Sequence, residues 1–281
     1  MHFFTEISSI KNWIQEKKKA GKTIGFVPTM GYLHEGHLSL IQQAKKENDV
    51  VIISVFVNPL QFGEGEDFEQ YPRDIDRDSF LAKENGVDVL FHPTVTEMYP
   101  TKMSAILKVQ SGTDVLCGAS RPGHFDGVAT VVMKLFGITS PDRAYFGMKD
   151  AQQVAVIERL VMDYHLDVKV VRGATVREED GLAKSSRNVN LTWEERKEAP
   201  TIYEILTDTK ERALNQYRDM EEVDQFLLTQ LTNRLKGTID YAEVRTYPFL
   251  EKNQSLQGEI IIAVAVKYSK VRLIDNIIFT V

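Results

Sequence analysis

Cysteine is almost absent: Cys117 is the only one in 281 residues, so no disulfide can close within the chain, and a reducing compartment, the cytoplasm, is expected. Its neighbours Leu116 and Gly118 offer nothing to activate a thiolate, so Cys117 reads as structural. Long apolar runs are missing too. The longest, residues 50–57 and 260–266, fall far short of the ~20 residues a membrane helix needs. Met1, His2, Phe3, Phe4, Thr5 and Glu6 lack the basic start and apolar core of a secretory leader. Positive charge is not in excess: 34 Lys and Arg face 40 Asp and Glu, and a net charge of -6 argues against a nucleic-acid partner. There is no internal repeat and no low-complexity tract. At 43% hydrophobic and 26% charged, the chain reads as an ordinary globular protein, long enough for one large domain or two.

The most informative stretch runs from Phe26 through Pro28, Thr29, Met30, Gly31, His34, Glu35, Gly36 and His37 to Leu38. It places two histidines and two glycines where an apolar strand, residues 23–27, gives way to a helix whose spacing is set by Leu38, Leu40, Ile41 and Ala44. A helix N-terminus presents unpaired backbone N–H groups and partial positive charge, and so attracts anions. His34 and His37, three apart, reach the same anion if the first turn is helical. Gly31 and Gly36 let backbone approach a bulky phosphate. A zinc site is disfavoured, because no cysteine or third histidine stands nearby to complete a shell. The alternative for the pair is a simple helix cap or a solvated surface.

Strand and helix patterns alternate through the first two-thirds of the chain. A helix over residues 37–48 leads to a strand at 50–57, a helix at 76–84 to a strand at 87–91, and a helix at 128–138 to a strand at 143–146. A helix at 151–164 then precedes a strand at 168–171. Continuously apolar strands between helices indicate a parallel sheet covered on both faces. The fold class is therefore α/β, a doubly wound, Rossmann-like N-terminal domain over residues 1–186, with ligands beyond the carboxyl ends of its strands. The polar or glycine-bearing segments 28–37, 58–63, 147–150 and 173–176 all fall at those ends. Past Asn190 the pattern changes: Thr192 and Glu195 form a capping box, helices run to about Leu235, and strands follow at 241–245, 260–266 and 271–274. This is a smaller α+β domain, residues 187–281, placed to act as a lid.

A second anion signal lies at the junction. Lys184, Ser185, Ser186 and Arg187 put two cations and two hydroxyls in four consecutive positions of a loop able to close over a polyphosphate. Taken alone it would more commonly be a polar linker. The acidic stretch 63–69 lacks the ligand spacing of a calcium loop and reads as a flap beside the site or a solvated loop.

With these segments in view, the chain resembles the pantothenate synthetase family, of the superfamily that includes the class I aminoacyl-tRNA synthetases. The resemblance rests on Pro28-Thr29-Met30-Gly31 with His34-Glu35-Gly36-His37, on Asn58-Pro59-Leu60-Gln61-Phe62, on Tyr71-Pro72-Arg73, and on Arg121-Pro122-Gly123-His124-Phe125-Asp126-Gly127. It continues through Phe146-Gly147-Met148-Lys149-Asp150 with Gln152 and Gln153, and ends in Asp180-Gly181-Leu182-Ala183-Lys184-Ser185-Ser186-Arg187-Asn188. The histidine string fits the whole superfamily, whereas the Asn58–Phe62 and Arg121–Gly127 strings narrow it to this family. Lys184 departs from the Met or Leu often found at that place.

The resemblance implies a ligase that condenses pantoate with β-alanine, using ATP as a substrate with Mg2+, through a pantoyl adenylate that β-alanine then opens. It implies that His37 and His34 donate to or stabilise the reacting phosphates, that Lys149 contacts the phosphates with Arg187, and that Asp150 accepts from the ribose. Thr29, Met30, Gly31, Gly147 and Met148 would line the nucleotide, Val176 would present backbone to the adenine, and Lys184, Ser185 and Ser186 would complete the ATP site. Gln61 would hold pantoate and lie near β-alanine, Gln153 would hold pantoate, and Arg121 and His124 would order the site. A homodimer is implied as well. Two other readings compete: a nucleotidyltransferase acting on a phosphorylated acceptor, which would call for more cations than Gln61 and Gln153 provide, and a nucleotide-binding module without turnover, which would not need both anion signals.

Overall fold

In a computed structural model of the chain, residues 1–63 and 68–281 are described; the centre of the acidic stretch read as a flap, 64–67, lies outside them. Contacts divide the chain into two compact units. The first comprises Met1–Gln110, Arg121–Met148 and Val156–Ala174, and the second Ser111–Ser120, Lys149–Ala155 and Thr175–Val281. The boundary placed by sequence at 186/187 falls inside the second unit, which also takes in two short segments from earlier in the chain.

The first unit is built on six parallel strands: β1 (His2–Phe4), β2 (Ile24–Thr29), β3 (Val50–Val55), β4 (Val89–Phe91), β5 (Arg143–Gly147) and β6 (Lys169–Gly173), in the order β1-β4-β3-β2-β5-β6. Along the chain the connections carry α1 (Ile7–Lys19), α2 (Glu35–Glu47), α3 (Ile75–Glu84), the short α4 (Val95–Met98), α5 (Leu116–Ser120), α6 (His124–Thr139) and α7 (Ala151–Asp163), of which α5 and the first five residues of α7 group with the second unit. All six residues of β3 are buried, as a central parallel strand requires. Val27, Val51, Ile53 and Leu90 pack with Leu40, Ile41 and Ala44 of α2. The alternating positions Ile24, Phe26, Ile52 and Phe91, on the opposite face, are as completely buried. Strand order reverses between β2 and β5, whose carboxyl ends are Thr29 and Gly147. Such a switch point opens the crevice in which doubly wound sheets bind their ligands. The expected strand and helix positions are found with shifted ends, and β1, α1 and the short α4 and α5 are additional.

Asp49, between α2 and β3, accepts from the backbone N–H and the hydroxyl of Thr23, both at 2.9 Å, and from Lys22 Nζ at 3.2 Å. The Thr23 N–H, then its hydroxyl, then Lys22 hold the exposed carboxyl down at about 2, below the ordinary 3.8. A depressed folded pKa adds stability that is fully present above the ordinary value and fades as pH falls through the folded one. Asp49→Asn is therefore expected to lower the thermal midpoint at neutral pH, with the gap from wild type closing as the pH approaches 2; a gap independent of pH would refute the ion-based account.

The second unit holds α8 (Trp193–Glu198), α9 (Thr201–Asn215), α10 (Met220–Arg234) and an antiparallel sheet of β7 (Thr238–Thr246), β8 (Glu259–Lys267) and β9 (Arg272–Thr280), in the order β7-β8-β9. The expected capping box opens α8, with Thr192 Oγ1 accepting from Glu195 N–H and Glu195 Oε2 accepting from Thr192 N–H. Ile205, Leu206, Leu227 and Leu231 meet Ile260, Ile262, Val264 and Phe279 in its core. Cys117 belongs to this unit, its Sγ 3.3 Å from the Tyr241 hydroxyl and 3.4 Å from Arg272 Nη1. Among the described residues no helix is long and apolar enough to cross a membrane.

Candidate active site

At the end of β2 the chain must turn sharply, and three contacts fix the turn. Thr29 Oγ1 donates to Ser54 O at 2.7 Å and accepts from Gly31 N–H at 3.1 Å. Gly31 lies at φ +87°, and a Cβ there would stand 2.9 Å from both Asp78 Oδ2 and Val55 Cγ1. Asp78 of α3, 1% exposed, accepts from Tyr32 N–H and Leu33 N–H at 2.7 Å each. The loop thus wraps a buried carboxylate before it reaches the histidines. Sequence reading missed Asp78, although it shares one helical face with buried Ala82 and with Ile75, where an apolar side chain would be expected.

The two histidines cap α2 reciprocally. His34, the extended N-cap residue, accepts at Nδ1 from Gly36 N–H at 3.1 Å, and His37 accepts at Nδ1 from His34 N–H at 3.3 Å. The ring centroids stand 4.1 Å apart. Because both Nδ1 atoms accept, the neutral form of each ring carries its proton on Nε2, and both rings are Nε2–H donors at a helix N-terminus. The helix cap, posed by sequence as one of the alternatives for this pair, is present.

Gln61 is buried, in a 3₁₀ turn, Pro59–Gln61, that follows β3. Its Oε1 accepts from Asn58 Nδ2 at 3.3 Å, and its Nε2 lies 3.2 Å from Met30 Sδ, so two residues expected at the site do meet. Asn58 Nδ2 also donates to Gly127 O at 3.0 Å, and Asn58 Oδ1 accepts from the Tyr99 hydroxyl at 2.8 Å. His124 donates from Nδ1 to Gln61 O at 2.8 Å, while its Nε2 faces Arg121 Nη1 at 3.1 Å. Arg121 Nη2 lies 3.4 Å from the same carbonyl. Asn58 and Tyr99 have no signal of their own in the sequence beyond the motif that contains Asn58.

After Gly147 ends β5, Met148, Lys149 and Asp150 form a 3₁₀ turn that runs into α7, whose first turn carries Gln153. Lys149 Nζ stands 3.8 Å from Asp150 Oδ2. In the second unit, Val176 and Lys184 are joined directly, with Lys184 N–H donating to Val176 O at 2.9 Å, and Glu178 N–H donates to Leu182 O at 2.8 Å. This is a tight hairpin. Lys184 Nζ reaches Glu178 Oε2 at 3.5 Å, giving the unusual lysine a partner within the hairpin itself. Ser185 Oγ accepts from Arg187 N–H at 3.3 Å and starts the 3₁₀ turn Ser186–Asn190.

The pantoate-beta-alanine ligase family profile matches residues 2–278. The chain belongs to the pantoate-beta-alanine ligase family. It is 56% identical over 281 residues to the pantothenate synthetase of a Bacillus cereus strain, covering 100% of both chains. It is similar in structure to a pantothenate synthetase from Thermus thermophilus, with a TM-score of 0.91, 44% identity and 99% of each chain covered. A pantoate-beta-alanine ligase from Francisella tularensis, complexed with beta-gamma ATP and beta-alanine, matches at a TM-score of 0.77 and 38% identity over 99% of this chain and 97% of that one. As a member of this ligase family, the chain is an amide-forming enzyme with a Rossmann-like parallel sheet and a small antiparallel C-terminal sheet.

Proposed function

We propose that this ligase activates pantoate with ATP and transfers the pantoyl group to β-alanine through the paired Nε2–H donors of His34 and His37. A pantoate carboxylate oxygen attacks the α-phosphorus and pyrophosphate leaves, giving pantoyl adenylate. The amine of β-alanine then attacks the pantoyl carbonyl, loses a proton, and expels AMP. The first step concentrates negative charge on the α-phosphate and the departing pyrophosphate. Fixed donors aimed there lower the barrier, and loss of one typically costs ~3 kcal/mol, or about 10²-fold in rate.

In this reading Met30, Gly31, Gly147 and Met148 line the nucleotide, and Val176 offers backbone to the adenine. Lys149 and Arg187 neutralise phosphate charge, Asp150 accepts from the ribose, and Lys184, Ser185 and Ser186 complete the ATP site. Gln61 and Gln153 recognise pantoate with neutral amides, which leave its carboxylate nucleophilic. The support for Gln61 is its burial and its held carbonyl: a surface glutamine would have neither. Mg2+, on this reading, would come with ATP and would neutralise phosphate charge alongside Lys149 and Arg187. The family resemblance supports a cytoplasmic homodimer.

The deciding experiment is ATP–pyrophosphate exchange with pantoate and Mg2+ and without β-alanine. Exchange that requires pantoate and collapses in His37→Ala supports the adenylate route; pantothenate and AMP formed only when all three substrates are present, with no exchange, would reject it.

The Gln61 turn also yields a steric prediction. A Cβ on Gly127 of α6 would lie 2.2 Å from Leu60 O and 2.6 Å from Gln61 N, both backbone atoms that cannot step aside. Gly127→Ala is expected to destabilise the fold by about 1–3 kcal/mol through overpacking and to raise KM for pantoate more than KM for ATP. Thermal midpoints and initial-rate kinetics check both parts, and an unchanged pantoate KM would detach the turn from substrate recognition.

A further inference from the structure

β9 carries two polar residues, Asp275 and Asn276, between Leu273-Ile274 and Ile277-Ile278. They are 5% and 8% exposed, so each needs a defined partner. Asp275 receives Arg177 bidentately, Nη1 to Oδ2 at 2.7 Å and Nη2 to Oδ1 at 2.9 Å. Arg177 Nη1 also donates to Gly181 O at 3.0 Å, and its guanidinium lies 3.5 Å from the ring centre of Tyr203. Arg177 is therefore the internal brace of the 176–184 hairpin, fastened to β9. Asn276 donates from Nδ2 to Lys149 O at 3.0 Å, and its own N–H donates to Asp275 Oδ1 at 2.8 Å. Adjacent strand residues point to opposite faces, so this pair grips the Lys149 turn on one side of β9 and the hairpin on the other. Tyr247 adds a second hold on the start of α7, its hydroxyl donating to Ala151 O at 3.2 Å.

We infer that Arg177, Asp275 and Asn276 form one positioning unit that fixes the Lys149 turn and the 176–187 loop relative to each other for adenylate formation. None of the three is a catalytic residue; each acts through the segments it holds. The inference rests on the proposed roles of Lys149 and of the 184–187 loop. Its chemistry is that of preorganisation. Misplacing a phosphate-contacting group by a fraction of an ångström slows reaction with little effect on the binding of a substrate held elsewhere.

The test uses the full-length protein and the pantoate-dependent ATP–pyrophosphate exchange. Asn276→Ala and Arg177→Lys are each expected to lower kcat by about tenfold, with KM for pantoate unchanged and, for Asn276→Ala, a thermal midpoint near that of wild type. The double variant is expected to lose less than the product of the two single losses, because the pair works as a unit. A role confined to stability would lower the midpoint and leave kcat per folded molecule intact, and that result overturns the inference, as do single losses that simply multiply. If Asn276→Ala does not fold, Arg177→Lys carries the same test through its kcat. Lys149→Ala separates the two levels: full exchange in that variant overturns the underlying role of Lys149, whereas lost exchange there with full rate in Asn276→Ala and Arg177→Lys overturns the positioning unit alone.

Discussion

Replacing His37 with asparagine is expected to stop pantoate-driven ATP–pyrophosphate exchange while leaving the protein about as stable as wild type. The reason is the double duty of the ring. Its Nδ1 accepts from His34 N–H and closes the cap of α2, and its Nε2–H is the proposed phosphate donor. The amide oxygen of asparagine takes the place of Nδ1, so the cap, a contribution of about 1 kcal/mol, survives. Nothing in asparagine reaches the position of Nε2. Glutamine makes the reverse trade, extending an amide to the Nε2 position while abandoning the cap. The Asn variant should therefore lose about 10²-fold or more in exchange rate with an unchanged thermal midpoint. The Gln variant should keep more rate on a less stable fold, and His37→Ala should lose both. Full exchange in His37→Asn would show that the ring does no more than cap the helix.

The same pair of histidines shows what a sequence exposes. Residues proposed to act on a ligand at one strand end stand next to each other in the chain, so His34 and His37, Met30 and Gly31, or Lys149 and Asp150 can be read as strings. The parallel sheet is equally open to view, because β3 is apolar at five of its six residues and buried on both faces. Supports are harder to see. Asp78 reaches the Tyr32 and Leu33 N–H groups across 46 and 45 residues, and Asn276 reaches Lys149 O across 127. Each holds backbone, which has no identity to read. Their only trace is a polar residue on a face whose period says apolar. β1 carries little signal because it is three residues long with two of them exposed, and α1 because it buries little beyond Ile10 and Ile14 among its lysines and serines. The division by contacts differs from the boundary at 186/187 for a related reason. A change in composition near residue 187 marks where helices rich in charge begin, whereas the segments 111–120 and 149–155 join the second unit only through contacts that a linear reading does not contain.

That difference changes the outcome expected for a shortened chain. With a boundary at 186/187, a fragment of residues 1–186 would keep the whole parallel-sheet domain, bind nucleotide in part, and lack only turnover. The contacts lead to a different expectation: the fragment binds no ATP. It retains Arg177 without Asp275, Lys149 O without Asn276, and Ala151 O without Tyr247. Leu182, 4% exposed in the full chain, loses the core of α9, α10 and β8 that covers it. Removing one member of a buried ion pair alone typically costs about 3–5 kcal/mol, against a total stability of about 5–15 kcal/mol for a domain. The Lys149 turn and the Val176–Arg187 loop are the parts left unsupported, and they are the parts assigned to the phosphates and adenine. Circular dichroism and ATP titration of the purified fragment decide the matter. A folded 1–186 fragment that binds ATP as tightly as the full chain would mean that the nucleotide is held by the β2–α2 turn and its histidines without help from β9.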